Sequence, residues 1–274
     1  MNGFRHIIGF IMPLLLCLLA ACAPARVAAQ PPNNAVSSVI VSLVVNPNGD
    51  AVCIASNSSS AAFFPRSSLR GQSGHGWFDA PVRISSAAWV GNAWWLALPR
   101  AGLAVKADGV PQSVAVAGQP SLLSSKYIFT LEGDIFRFDG SKVGRVPKLP
   151  SSLLETTNTT FVLSDKEVYA VANTVTRVRQ LESANFSLVA DGASFAAVRG
   201  ITVRQGAVTY SLEKNTVRVA GVDNQLLKTI ALGSAGSKIA VGADTLAVAL
   251  GSSVAFFDAN TFAPLLTRAC EVTR

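Results

Sequence analysis

Few residues of this 274-residue chain have a type and spacing that could do chemistry. Of its two histidines, His6 precedes a long apolar run, which leaves His75 in Gly71-Gln72-Ser73-Gly74-His75-Gly76. Nucleophilic catalysis needs a base held against a Ser or Cys. Ser73 is two residues away, but glycines surround the pair and no strand–turn–helix elbow frames it. A surface loop is the expectation. Glu132, Asp134, Asp139, Glu155, Asp165 and Glu167 could pair as acid and base, yet most fall in expected turns, where Asp satisfies turn geometry. No Cys-x-x-Cys, His-Glu-x-x-His or calcium-loop spacing occurs. Gly233-Ser234-Ala235-Gly236-Ser237 lacks the Lys-Ser/Thr ending of a phosphate loop. The reading is therefore a protein that is not an enzyme, with no catalytic residue, cofactor or metal site.

The cysteines say more. Ile7 to Ala21 is apolar, broken only by Gly9 and Pro13, and follows a single firm positive charge, Arg5. At 1.5 Å per residue the run reaches about 22 Å, short of a hydrocarbon core of about 30 Å. A positive start, a short apolar stretch and small residues at its exit make an export signal. Leu19-Ala20-Ala21-Cys22 closes it. These four residues resemble, position by position, the bacterial lipoprotein signal, in which an aliphatic residue and two small ones precede the cysteine that becomes the lipidated N-terminus. The resemblance covers residues 1–22 and implies acyl chains on Cys22. Each buried methylene adds about 0.8 kcal/mol, so two or three chains anchor far better than one. Ala23 is not the aspartate that retains such proteins in the inner membrane of enteric bacteria, so the outer membrane is favoured. Cleavage near Ala28-Ala29 and release is the alternative. Cys53 and Cys270 then remain, an even pair in an exported chain, which invites a disulfide. Two separate buried thiols are the alternative.

The expected organisation is a signal at 1–21, a proline-rich tether at 22–35 and one folded domain at 36–274. Half of the chain is apolar and 14% charged, which excludes disorder. The formal charge is +7, with Arg5 supplying one unit, and it is scattered without a block of five like charges. Nucleic-acid binding, which wants a dense basic stripe, is not expected.

Short apolar runs with turn residues between them dominate from residue 36. Ala87–Val90 with Ala93–Leu98 joins through Gly91-Asn92, and Tyr127–Leu131 with Asp134–Phe138 through Glu132-Gly133. Phe161–Leu163 with Glu167–Ala172, Ala207–Leu212 with Thr216–Val219, and Thr245–Leu250 with Ser253–Phe257 continue the series, and Phe195–Val198 with Ile201–Val203 reads as one more. Short Gly-containing connections between such runs mark hairpins. Ser58 to Pro81 reads as a long protruding loop. Turns at Asp108, Asp139, Asn173, Asp223 and Asp258 recur every 31 to 50 residues, the period of four-stranded propeller blades. The fold class is all-β, a β-propeller of about six four-stranded blades, with a β-sandwich pair or β-helix as the alternative. The pattern resembles the broad family of bacterial β-propellers, although neither the Trp-Asp dipeptide nor the Ala-x-Asp-x-x-Thr-Gly blade motif is present. The N-terminal strand is expected to close the ring by completing the last blade, beside Ala263–Thr267.

Aromatics and arginines gather between residues 63 and 100. Phe63, Phe64, Arg66, Arg70, Trp77, Phe78 and Trp95 are the candidate binding surface, since Trp, Tyr and Arg carry interface energy; blade packing is the alternative. The plan resembles that of propeller lipoproteins that scaffold envelope machinery. It implies a platform tethered to the membrane through Cys22, with an envelope protein as partner. An envelope carbohydrate- or wall-polymer-binding protein, or a weak hydrolase, is the other reading.

Overall fold

A computed structural model describes residues 38–72 and 74–270; Cys22, the signal and the tether lie outside them. The described chain is almost wholly β. Its helices are single turns at Arg66–Leu69, Pro99–Ala101 and Val222–Asn224, and none of the described helices is long and apolar enough to cross a membrane.

Six four-stranded antiparallel sheets form the blades of a β-propeller, each a simple meander in chain order. Blade 1 spans residues 40–79, blade 2 86–115, blade 3 120–145, blade 4 152–180, blade 5 201–231 and blade 6 238–269. Between blades 4 and 5 stands a two-stranded sheet, Phe186–Asp191 paired with Ser194–Arg199. The first strand of each sheet is innermost. That of blade 1, Ile40–Val45, touches both Ser86–Val90 of blade 2 and Lys238–Gly242 of blade 6, so the ring closes.

Three expectations are corrected. Residues 58–81 are no protruding loop, because Ser60–Phe64 and Gly76–Asp79 are the two outer strands of blade 1. Phe195–Val198 and Ile201–Val203 do not pair, because the first returns along Phe186–Asp191 and the second opens blade 5. Nor does the N-terminal strand complete the last blade: Ile40–Val45 pairs with Ala51–Ala55, and Pro264–Ala269 ends its own sheet.

Strand alternation sends successive side chains into the apolar layers on opposite sides of each blade. Trp94 faces the layer shared with blade 1, beside Ile54 and Leu96, while Trp95 enters the layer shared with blade 3, its ring 5.0 Å from Phe138. Hydroxyls stitch the inner strands together. Ser42 Oγ accepts the Ala87 N–H at 3.3 Å, Ser86 Oγ that of Leu123 at 3.1 Å, Ser152 Oγ that of Leu188 at 2.9 Å, and Ser187 Oγ that of Thr202 at 2.9 Å. Each bond runs from one sheet to the next and satisfies an N–H that the innermost edge would otherwise leave open. Ser86 and Ser152 are the first residues of their strands; blade 6 begins instead with Lys238, which has no lone pair to offer. Burial pulls its ammonium pKa down.

Candidate binding surface

The residues between 63 and 100 divide three ways. Phe64 (2% exposed) and Trp95 (7%) are core. Both are therefore corrected from surface to packing: Phe64 lies 5.3 Å from the Phe256 ring across the junction of blades 1 and 6.

Arg66 and Arg70 are spent on that same junction. Arg66 opens, and Arg70 caps the end of, the single helical turn between the outer strands of blade 1. The Arg66 Nε–H donates to Asp244 Oδ1 at 2.8 Å, and Arg70 Nη2 lies 2.6 Å from Asp244 Oδ2 and 2.9 Å from Asp258 Oδ2. The chain of contacts extends inward, since the Arg66 backbone N–H donates to Asp50 Oδ1 at 2.9 Å and Asp50 accepts from the side-chain amide of the buried Asn46 at 3.0 Å. Hydrogen bonding to Arg66, with Arg70 alongside, holds the Asp244 carboxyl below its usual range. Asp258 is held to about 2, first by the Thr261 N–H and then by Arg70 and the Asn260 N–H. The arginines are raised in turn by the same carboxylates. A bidentate fork fits this geometry where a lysine would not.

The disulfide lies under this latch. Cys53 and Cys270 are bonded, with Cα atoms 6.1 Å apart at a sequence separation of 217. They sit in one apolar cluster with Ile40, Phe64, Leu69 and Phe256. Gly242 of blade 6 also meets blade 1 closely, because a Cβ there would lie 2.4 Å from the Asn46 carbonyl oxygen.

His75 is exposed, its ring 6.3 Å from Phe64 and 6.0 Å from Trp77. It borders a cleft of about 40 Å³ with Arg268 and Gln72. Ser73 lies outside the described residues. The acidic candidates are dispersed. Asp134 pairs with Lys142 at 2.8 Å, Glu167 with Arg177 and the Tyr169 hydroxyl, and Asp139 accepts the Ser141 N–H of its own turn at 2.8 Å. Burial, and then that bond to Glu167, pushes the Tyr169 hydroxyl up to about 12. Among the described residues no three His, Cys, Asp or Glu side chains are grouped to hold a metal.

Phe63, Trp77 and Phe78 are half-buried. Phe63 and Phe78 lie 5.3 Å apart between blades 1 and 2. Here the outermost strand of blade 1, Gly76–Asp79, faces Leu96, Leu98, Leu103 and Val105 of blade 2 across a groove of about 340 Å³. Pro81 and Lys106 also line it. Arg83 follows Pro81 by two residues, and Arg100 precedes the groove-lining Ala101. Asp79, which accepts a hydrogen bond from the Ser60 hydroxyl, lines the groove as well. The sequence marked Trp77 and Phe78. It did not mark Leu98, Leu103 and Lys106, whose signal, an apolar strand pair around Pro99-Arg100-Ala101-Gly102, reads as ordinary core.

No family model matches the chain, and no curated protein matches its sequence. Among solved structures it is similar to apo AztD from Citrobacter koseri, at 10% identity over 84% of this chain and 86% of that one, with a TM-score of 0.52. It is likewise similar to BamB from Moraxella catarrhalis, at 11% identity over 86% and 88%, also with a TM-score of 0.52. At such identity the likeness is one of fold.

Proposed function

We propose that this chain is a non-enzymatic binding platform for a protein partner, held at a bacterial membrane through acylated Cys22. The observation that carries the reading is the groove beside Gly76–Asp79. Its walls are apolar and it stands on a well-tied ring, with Lys106 and Asp79 as the charged residues that line it. An open apolar groove rimmed by charge is how interfaces are built. The tether reading rests on Leu19-Ala20-Ala21-Cys22, and the favoured address is the outer membrane.

Mass spectrometry of the membrane fraction tests the address: the expected N-terminal peptide begins at Cys22 and carries acyl mass. An unacylated N-terminus beyond residue 22 would refute the tether. Titration with purified envelope glycans tests the platform against the carbohydrate reading. No saturable binding is expected, and saturable binding lost in Trp77→Ala would favour the latter.

A further inference from the structure

Six full blades and the two-stranded sheet give the ring seven innermost strands. Phe186–Asp191 touches the innermost strands of both blade 4 and blade 5, so its sheet holds a blade position without the two outer strands. After Arg199 the chain spends one residue, Gly200, before it opens blade 5. Among the described residues no strand pairs with the far side of Ser194–Arg199. The second strands of blades 1 to 4 are buried end to end, whereas no residue of Ser194–Arg199 is. In the second strand of blade 5, Val208–Glu213, only Tyr210 is buried, and it packs toward blade 6. Apolar clusters of the described residues join blade 4 to the two-stranded sheet and every pair of adjacent full blades, but none joins that sheet to blade 5. A slot is left with unlike walls. Phe195 and Ala197 line one with Ala170 of blade 4. By alternation Ala196 and Val198 look the other way, toward Thr209 and Ser211 of blade 5, and all seven are half-buried. The Gly200 N–H donates to the Asn185 carbonyl at 3.1 Å, and the Leu188 N–H turns inward to Ser152 Oγ. Antiparallel alternation then points the backbone groups of Phe195, Ala197 and Arg199 into the slot. The strand's one charge, Arg199, stands at its end and pairs with Glu182.

We infer that an extended segment of a partner protein pairs with Ser194–Arg199 and stands in this slot as the third strand of the incomplete blade. Width selects the occupant. Strands lie about 4.8 Å apart in a sheet, so two missing strands leave about 10 Å of depth between the outer strands of blades 4 and 5. The same edge of a second copy cannot reach in, because those outer strands would meet their counterparts first. A bare strand can. Its side chains on one face are apolar, against Phe195 and Ala170, and those on the other are small or carry hydroxyls, against Thr209 and Ser211. Backbone pairing supplies affinity and the two walls specificity. The inference goes beyond the platform reading and does not depend on it, since the slot and the groove lie at different junctions of the ring.

The test is selection of random linear twelve-residue peptides, displayed on phage, against the full-length protein, followed by amide exchange read by NMR. Enriched peptides are expected to alternate apolar residues with Ser, Thr or small ones. Their synthetic forms should slow exchange at Phe195, Ala197 and Arg199 roughly tenfold or more. Ala196 and Val198, already bonded to Phe186–Asp191, should not change. Ala197→Pro removes an outward N–H and no ladder bond, a place where an edge strand accepts proline; it should keep the circular dichroism spectrum and abolish binding. Without touching the protein, N-methylation of one alternate set of peptide amides should abolish binding while the other set tolerates it. Failure of any peptide to bind, slowing at amides other than those three, or tolerance of methyls on both sets would overturn the proposal. So would protection of the three amides before peptide is added, which would mean that the chain fills its own slot. Self-association in sedimentation that Ala197→Pro reverses would overturn it as well. A crosslinker at Leu103 tests the platform reading separately, so neither result decides the other.

Discussion

The junction of blades 1 and 6 and the two-stranded sheet at 186–199 solve opposite problems. At the junction the chain cannot help, because the two blades lie at its opposite ends and every contact between them closes a loop of nearly the whole domain. That is where the disulfide, the arginine latch spanning 178 and 188 residues, and the close approach of Gly242 to Asn46 are all found. The two-stranded sheet has chain on both sides holding it to its neighbours. Its ties include two inner hydroxyl bonds, the Arg204 guanidinium donating to the Ala190 carbonyl at 2.7 Å, and an apolar cluster with blade 4 in which Phe161 and Phe195 lie 4.9 Å apart. Long-range ties are concentrated where connectivity is missing, and the groove stands on the tied blade.

Breaking the disulfide should have the largest effect. In the chain-entropy model a loop of this size contributes about 5.4 kcal/mol. Cys53→Ser with Cys270→Ser should melt far below the parent, as should the reduced protein. Hydrogen exchange should rise first in Ile40–Val45 and Pro264–Ala269 and last in Phe186–Arg199. Equal loss of protection in both regions would remove the contrast.

Next come two glycines. Gly242→Ala drives a methyl into the Asn46 carbonyl and should cost about 2–3 kcal/mol as overpacking. Gly192, at the tip of the two-stranded hairpin with φ +60° and open space around it, should cost about 1 kcal/mol as Ala, for left-handed backbone alone. Urea midpoints compare them. Smaller still is Ser187→Ala, which leaves the Thr202 N–H without its acceptor at a cost of about 1 kcal/mol. It should loosen the two-stranded sheet in exchange and leave the blade 1–6 junction untouched.

The acid latch sharpens the comparison through pH. Asp244 and Asp258 have depressed folded pKa values, so their contribution is present above the unfolded value of about 4 and lost as pH falls toward about 2. Urea midpoints between pH 5 and 2 should fall less steeply in Asp258→Asn than in the parent. Parallel slopes would show that the latch contributes nothing.

Much of this architecture was legible because hairpin chemistry is local. Gly91-Asn92 and Glu132-Gly133 sit between runs whose alternation can be read directly. The outer strands of blade 1 were hidden because Ser58, Ser59, Gly74 and Gly76 look like loop, and small residues such as Ala61 and Ala62 pack there without a strong apolar signal. The inner hydroxyls left a trace that goes unused by period counting. Ser42, Ser86, Ser152 and Ser187 each precede two apolar residues, and they mark innermost strands, including that of the two-stranded sheet. Arg66 and Arg70 stood out as residues of interface type, but partners nearly 200 residues away are invisible to spacing. For the groove, the sequence offered its aromatic wall and not its aliphatic one.

The most direct test of the account is a photo-crosslinking residue placed at Leu103 in the full chain, in the cells that produce it, with the exposed Asn260 between the last two strands of blade 6 as the control position. The account predicts one discrete protein adduct from Leu103 and none from Asn260, lost when Cys22→Ala releases the protein from the membrane. Silence at Leu103, or the same adducts from both positions, would contradict it.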